Sequence, residues 1–503
     1  MNSFLGLNIG VRSLFASQAA LNTISHNISN ADTTGYSRQI VIQKASPALS
    51  TSNGSGMVGT GVDIATIVRI RNKFLDNRYW QENIQYGEWS VKSNTLSELE
   101  SLLSSSSDDG LDDVLSSFIS SLEDLADNPS DDSARSAVKA EGEALCEYLN
   151  SMSGILEDLL QDYNSAVKNK VDEINSLAKQ ISSLNQQIYK AELNGETAND
   201  LRDQRTVLVD KLSALADVQV SEAAGRFSIK INGLSLVNHF EVNELECYEI
   251  NDSSDSDGMY GVRWQGTLNE VTFEGGEIKG YLDMCNGSGL NGEFKGIPYY
   301  LNQLDTFART LAKAFNEGIY ADGESYCSGH AGGVGLDDST GIRFFSYEGK
   351  SSDELMESGS DMDEIYQNIT AANISLSLDV EEDTDKIAAS SASGESENNN
   401  NISDLSAIFD DSEVFANGSP EDYINSIYTT IGVETSLASR ISNLHQSIVD
   451  QIDNNRTSVS GVSLDEESSN LIKYQQAYNA AAKVMSVMDE VLNVTINSLG
   501  ANW

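Results

Sequence analysis

Residues 464–499 read LDEESSNLIKYQQAYNAAAKVMSVMDEVLNVTINSL, and their spacing decides the architecture. Leu464, Leu471, Tyr478, Met485, Leu492 and Leu499 recur every seven residues. Tyr474, Ala481, Met488 and Thr495 recur every seven between them. Two columns sustained in this way form the narrow seam by which one helix winds on another. Periodicity alone would also fit an amphipathic helix packed inside its own domain. Two features favour a coil. The seam runs almost to Trp503, and the opposite end of the chain carries a matching stripe: Leu7, Val11, Leu14, Leu21, Ile24 and Ile28 at three/four spacing. That stripe stops near Asn30, where Asp32-Thr33-Thr34-Gly35 reads as a turn. A β-branched, strand-like stretch, Arg38–Lys44, follows, then a loop rich in Ser, Gly and Thr over 46–61.

Working inward, helices are expected over 84–104 and 111–127, then over 133–193 as one very long element. Leu156, Leu160, Tyr163, Val167, Val171, Ile174, Leu177, Ile181, Leu184 and Ile188 keep the helical spacing. At 1.5 Å per residue such a helix spans roughly 90 Å, so it implies a rod rather than a globule. Asn194-Gly195 breaks it, and 199–215 reads as a return helix. From Val218 the period changes to two, with a hairpin signal at Ile231-Asn232-Gly233-Leu234 and further strands expected at 245–250, 259–265 and 269–275. Helix resumes over 296–317. Residues 320–400 are mixed and acidic, with Ile374–Leu378 the most strand-like stretch. Asn398–Asn401 reads as a low-complexity linker before the helices that run from about 419 to the end.

The expected fold is therefore mainly α with an inserted β region (α+β). It is an elongated rod of long antiparallel helices with a terminal coiled coil and a small β domain at the outer end. Residues 1–65 with 461–503 would form the terminal coiled-coil unit. Residues 66–216 with 288–322 and 401–460 would form the helical rod, and 217–287 with 323–400 a β-rich outer domain.

Charge agrees with this division. The net charge is −46, yet residues 1–60 carry +2 and 471–503 carry zero. Nearly uncharged ends on a very acidic body suggest buried ends and a solvated body. Such a body repels phosphates and anionic lipid, so neither nucleic acid nor membrane is an expected partner. No apolar run approaches the ~18 residues of a membrane span, and the start has no basic, apolar leader pattern.

Chemistry-bearing motifs are weak. Gly54-Ser55-Gly56-Met57-Val58-Gly59 matches GxGxxG, but Ser and Pro precede it and an extended stretch follows, so a turn is the expectation. Asp252, Asp255 and Asp257 before Gly258 suggest a calcium loop, but Ser253 and Trp264 stand where the first and twelfth ligands belong. His26, His239, His330 and His445 form no HExxH, and Cys146, Cys247, Cys285 and Cys327 form no CxxC. No catalytic residue, cofactor site or metal site is expected.

The two ends carry recognisable segments. Ala19-Ala20-Leu21-Asn22, His26-Asn27-Ile28-Ser29-Asn30 and Thr34-Gly35-Tyr36-Ser37-Arg38 resemble the N-terminal signature of flagellar rod, hook and hook-associated proteins. Ser460-Gly461-Val462-Ser463-Leu464-Asp465-Glu466-Glu467, with Asn470-Leu471 and Tyr474-Gln475-Gln476-Ala477-Tyr478, resembles their C-terminal signature in its hook-associated form. Gly59-Thr60-Gly61-Val62, Gly275-Gly276-Glu277-Ile278-Lys279-Gly280-Tyr281-Leu282 and Leu304-Asp305 resemble interior segments of that family. The resemblance implies an extracellular, non-enzymatic subunit exported by the flagellar type III system. It also implies a ring of identical subunits between hook and filament. The implied partners are hook protein, a second junction protein and an export chaperone on the C-terminal helix. The candidate assembly surface is then Leu7, Val11, Leu14, Leu21, Ile24, Ile28, Asn30, Gly35, Tyr36, Leu464, Leu471, Tyr474, Tyr478, Met485, Met488 and Leu492. Other axial components, an enzyme on a flagellar scaffold, and an adhesin on a coiled stalk are the competing readings.

Overall fold

A computed structural model describes residues 3–50, 56–103, 110–223, 225–250, 258–321, 324–325, 328–359 and 361–499. Helix α1 (Ser3–Ser29) leads into an antiparallel ribbon of β1 (Gln39–Ala45) and β4 (Val62–Arg69), extended by the short pair β2 (Leu49–Ser50) and β3 (Met57–Val58). Helices α2 (Lys73–Leu103), α3 (Leu111–Asp127), α4 (Asp132–Glu192) and α5 (Asn199–Leu215) follow. The first interior helix thus begins at Lys73 rather than 84. Its leading turns mix charged residues with Phe74, Leu75, Tyr79 and Trp80, so no clean stripe announces them, and they are held by packing on α5 and α13.

Helix α4 has 61 residues and starts where the Asp131 side chain accepts from the Ser133 N–H. Gly195, at φ +85°, lies just beyond its end. Helix α5 returns antiparallel, with Arg202 paired to Glu192 and Arg205 to Asn185.

A four-stranded antiparallel sheet comprises β5 (Val218–Ala223), β6 (Arg226–Ile231), β7 (Leu234–Asn238) and β8 (Glu241–Val242). Strands β9 (Leu245–Glu249) and β10 (Tyr260–Trp264) form a separate ladder. The strand expected at 269–275 does not form. Val271 and Phe273 are buried in alternation, but the stretch pairs only through an Arg263–Glu270 bridge and the bonds of Asn269 and Val271.

Next come α6 (Glu277–Asn286), α7 (Ile297–Glu317), β11 (Tyr320–Ala321), β12 (Glu324–Ser325), α8 (Gly329–Gly332), β13 (Phe345–Tyr347), α9 (Ser352–Met356), α10 (Met362–Gln367), β14 (Ile374–Leu376), α11 (Leu378–Glu382) and α12 (Asn400–Ala407). The asparagine run is therefore not a linker. Asn401 is buried and donates to the Ala388 carbonyl at 2.7 Å, and Asn399 donates to that of Ala126 at 2.7 Å.

The chain ends in two long helices. Helix α13 (Pro420–Ser460) opens with a capping box made by Ser419 and Asp422, and α14 (Leu464–Leu499) follows. Helix α13 runs antiparallel to α2: Thr435 meets Leu96, His445 meets Glu82 and Arg456 meets Asp76.

The two β-bearing stretches dock at different levels of α4. Asn175, Ser182 and Asn185 bond the backbone of Leu245, Phe240 and His239. Arg135, Lys139 and Asn150 bond the backbone of Ile387, Glu381 and Ala371. The sequence grouping had placed these stretches together. One apolar core threads α2–α7, β5–β10, β13, β14 and α12–α13, with Phe118, Phe315, Phe344, Phe345 and Phe409 at a node of tilted and edge-on rings. The buried Ala16, Ala20, Ile24 and Ala481 of α1 and α14 lie outside that core.

Candidate assembly site: the terminal helix pair and its joint

Helix α1 packs along α14 in antiparallel fashion. Met488 lies on Gly6 and Met485 on Gly10, so close that a Cβ at Gly6 would stand 2.7 Å from the Met488 methyl. At the other end, Asn27 meets Glu467. Leu471, Tyr474, Tyr478, Met485, Met488 and Leu492 are half-buried and Ala481 is buried, while Leu464 and Thr495 at the ends are exposed. The side chain of Leu499 lies outside the described residues. On α1 the stripe is shifted. Gly10, Ala16, Ser17, Ala20 and Ile24 are buried, whereas Leu7, Val11, Leu14, Leu21 and Ile28 are half-buried at the flanks. Small residues let the two backbones approach; the larger ones cover the edges.

A second stripe on α14 was not singled out from the sequence. Val484, Val487, Val491 and Val494 also follow three/four spacing, and they are 45–57% exposed. Phe4 and Phe15 on α1 are exposed as well. The spacing of those valines was readable, but the stronger Leu/Met/Tyr columns beside it masked it.

The turn after α1 fixes the pair onto the rod. Asn30 turns back to the His26 carbonyl, and Gly35 sits at φ +76° with Val207 pressed against it. Tyr36 donates to Asn27, and its hydroxyl is pushed far up by burial and by the nearby carboxylates of Asp200, Asp203 and Glu467. Ser37 gives its N–H and hydroxyl to Asp203 of α5, which also takes Arg69 at 2.6 Å. Arg71 grips Asp76 of α2, and Arg456 of α13 joins Asp76 to Asp210 of α5. Arg38 donates its N–H to the Ser460 carbonyl and pairs with Glu466 and Glu467 at the start of α14. Ser463 begins that helix, its carbonyl and hydroxyl accepting from Glu467 and Glu466. Segments more than four hundred residues apart in sequence thus meet at one joint. Asn30, Gly35 and Tyr36, expected on the assembly surface, lie at this joint within one chain. Beside them stand Asn27, Arg38 and Glu467 of the recognised end segments, which were not among the expected site residues, and Asp203, which no sequence pattern singles out.

Among the described residues no group of three His, Cys, Asp or Glu side chains is placed to hold a metal ion, and no helix is long and apolar enough to cross a membrane. The acidic loop 252–257, Gly54, Ser55 and Cys327 lie outside the described residues. Cys146 and Cys285 are buried, His330 is fully buried, and the four histidines do not meet.

The family description "Flagellar hook-associated protein FlgK helical domain" matches residues 96–345. "Flagella basal body rod protein" matches 7–36, and "Flagellar basal body rod FlgEFG protein C-terminal" matches 454–499. Flagellar hook-associated protein 1 of Bacillus subtilis (strain 168) is 33% identical over 99% of both chains. That of Escherichia coli (strain K12) is 28% identical over 98% of this chain and 99% of its own. The solved structure of the flagellar hook junction protein FlgK from Burkholderia pseudomallei shares the fold. It has a TM-score of 0.62 at 16% identity, and the match covers 76% of this chain and 100% of that one. Paired chain ends of rod-protein type around a helical body define a flagellar axial protein. Within that class, the chain belongs to the flagellar hook-associated protein 1 family. It is a structural, non-enzymatic component of the extracellular flagellum at the hook–filament junction.

Proposed function

We propose that copies of this chain polymerise into a ring between hook and filament, with α1 and α14 as the assembly module and the rod facing outward. The observation that carries this reading is the pair of stripes on α14. One stripe, Leu471 to Leu492, is taken up by α1. The other, Val484, Val487, Val491 and Val494, stays exposed. An apolar ribbon on an otherwise acidic, soluble chain is an aggregation hazard unless something covers it. Covering it with adjacent copies removes apolar area at ~25 cal/mol per Å². The half-buried Leu7, Val11, Leu14, Leu21 and Ile28 would complete the same contact. Hook protein on one side of the ring, a second junction protein on the other, and an export chaperone shielding α14 before secretion are the partners in this reading. Residues 1–65 with 461–503 then act as the assembly unit, and the body from 66 to 460 as the part that remains folded before assembly.

Deleting the gene tests the role. Hooks without filaments, with flagellin released into the medium, are expected. Restoring the gene with Val491→Asp should leave that phenotype in place. Full motility with Val491→Asp would remove the outer stripe from the interface.

A further inference from the structure

The apolar seam of the terminal pair does not by itself choose a register. Gly6–Met488 and Asn27–Glu467 stand 21 residues apart along each helix, which is three whole heptads. Asn27 therefore shares its column with Gly6, Ser13 and Ala20, and Glu467 shares its column with Tyr474, Ala481 and Met488. The small residues of α1 would accept either heptad neighbour on α14. A heptad is about 10 Å of helix rise, and unwinding about six residues at the connections supplies that length.

We propose that Asn27 and Glu467 are the register key of this pair, the positioning residues that make one alignment of α1 on α14 satisfiable. Both side chains are buried, with 1% of their surface exposed. Asn27 Nδ2 donates to the Gln39 carbonyl at 2.9 Å and to Glu467 at 3.1 Å; its Oδ1 accepts from the Gln39 N–H at 2.9 Å and the Tyr36 hydroxyl at 2.8 Å. The other oxygen of Glu467 lies 2.7 Å from Arg38 Nε. In this alignment Asn27 makes all four of these hydrogen bonds and Glu467 is paired with both Asn27 and Arg38. A slip one way sets Asn27 against the Tyr474 ring; a slip the other way sets Glu467 against Ala20. Each takes the buried Asn27 amide and the buried Glu467 carboxylate away from each other, which is costly where water cannot enter. A buried polar side chain at one seam position is the device that fixes register in coiled coils. The proposal rests on the α1–α14 pair as the assembly module: in a ring, every copy must present its outer stripe at the same height.

The test uses full-length chains in isolated hook–filament structures. Gly10→Cys is combined in turn with Met485→Cys, Tyr478→Cys or Leu492→Cys, and oxidation products are read by mass spectrometry of the linked peptides. In the parent, only 10–485 should link. With Glu467→Leu and Asn27→Leu, 10–478 or 10–492 should rise from undetectable to a yield comparable with 10–485. Glu467→Gln keeps one accepting oxygen for Asn27 and gives up the Arg38 contact, so 10–485 should remain the main product. Moving the acceptor one heptad, Glu467→Leu with Tyr474→Glu, should shift linking to 10–492. Leucine variants that link only at 10–485 overturn the register key while leaving the pair intact. A parent that does not link at 10–485 overturns the pairing itself. Loss of every link in the variants also overturns the proposal, because a slipped pair is still a pair.

Discussion

Arg456 donates from Nη2 to Asp210 at 2.8 Å while its Nε stands 3.1 Å from Asp76, so one guanidinium on α13 holds carboxylates of α5 and α2. Burial draws its pKa down, but Asp210 and Asp76 outweigh that and raise it; burial in turn raises Asp210. The Tyr79 ring lies 4.2 Å from the guanidinium carbon. Arg456→Met fills similar space but strands Asp210, so a loss of about 3–5 kcal/mol is expected in urea unfolding. Adding Asp210→Asn removes the stranded charge, and the double variant should be more stable than Arg456→Met alone. If the two changes simply add, the pair does not carry the joint.

His330 gives a pH signature. It is fully buried, with Nε2 accepting from the Ala388 N–H at 2.9 Å and Nδ1 facing the Ile342 carbonyl at 2.8 Å. Burial pulls its pKa down from 6.5 to about 4. The unfolded chain therefore takes up the proton first. Stability from this site is complete above pH 6.5 and falls as pH drops toward 4, by about 3 kcal/mol over the interval. The carboxylates of so acidic a chain titrate in the same range, so the comparison is with His330→Gln. Unfolding midpoints at pH 7, 5.5 and 4.5 should fall more steeply for the parent than for the variant. Parallel slopes would mean His330 does not contribute.

What was legible in the sequence is what local periodicity encodes. The three/four spacing and the Asn194-Gly195 break delimit α4 and α5 because helix formation and its termination depend on neighbours a few residues away. The heptads of α14 were legible for the same reason. The joint was not. Asp203, Arg71 and Arg456 stand in no local pattern that pairs them with Arg69 or with one another, and only the folded chain brings them within bonding distance. The Asn398–Asn401 run shows the converse: its composition suggests a linker, yet its side chains bond the backbone of Ala126 and Ala388. Arg135 belongs to the same lesson, an arginine in a helical pattern that lies fully buried and donates to the carbonyls of Pro129, Thr384 and Ile387.

That arginine carries its own prediction. With only backbone carbonyls to receive its N–H groups, Arg135→Met leaves those carbonyls unbonded rather than stranding a charge, and the cost should be about 2–4 kcal/mol. The damage should be local. Faster amide hydrogen exchange is expected over 384–390, with little change in β5–β10, which dock far along α4. Equal loosening at both levels would argue that α4 does not separate them.

Gly35 is held by two constraints that can be separated. Its φ of +76° disfavours any side chain, and a Cβ there would meet the Val207 methyl at 2.1 Å. Gly35→Ala should cost about 2–4 kcal/mol at the joint, from strain plus overlap. Val207→Ala should restore the overlap part and leave about 1 kcal/mol of strain. Protease cleavage between 30 and 38 reads the effect directly, fastest in Gly35→Ala and intermediate in the double variant.

The two faces of α14 predict different failures from the same change. Met485→Asp places a carboxylate against Gly10, inside the pair, so α1 and α14 should part. Val487→Asp places one on the exposed stripe, so the pair should survive and only contacts beyond it should be lost. Neither residue touches the core that runs through α2–α7 and α13, so both chains should unfold within a few degrees of the parent. Both should leave cells non-motile, with the chain recovered from the medium. Cysteine linking at another seam contact, in place of the altered Met485 site, should then distinguish them: lost in Met485→Asp, retained in Val487→Asp. Retention in both, with motility intact, would show that α14 makes no contact the flagellum needs.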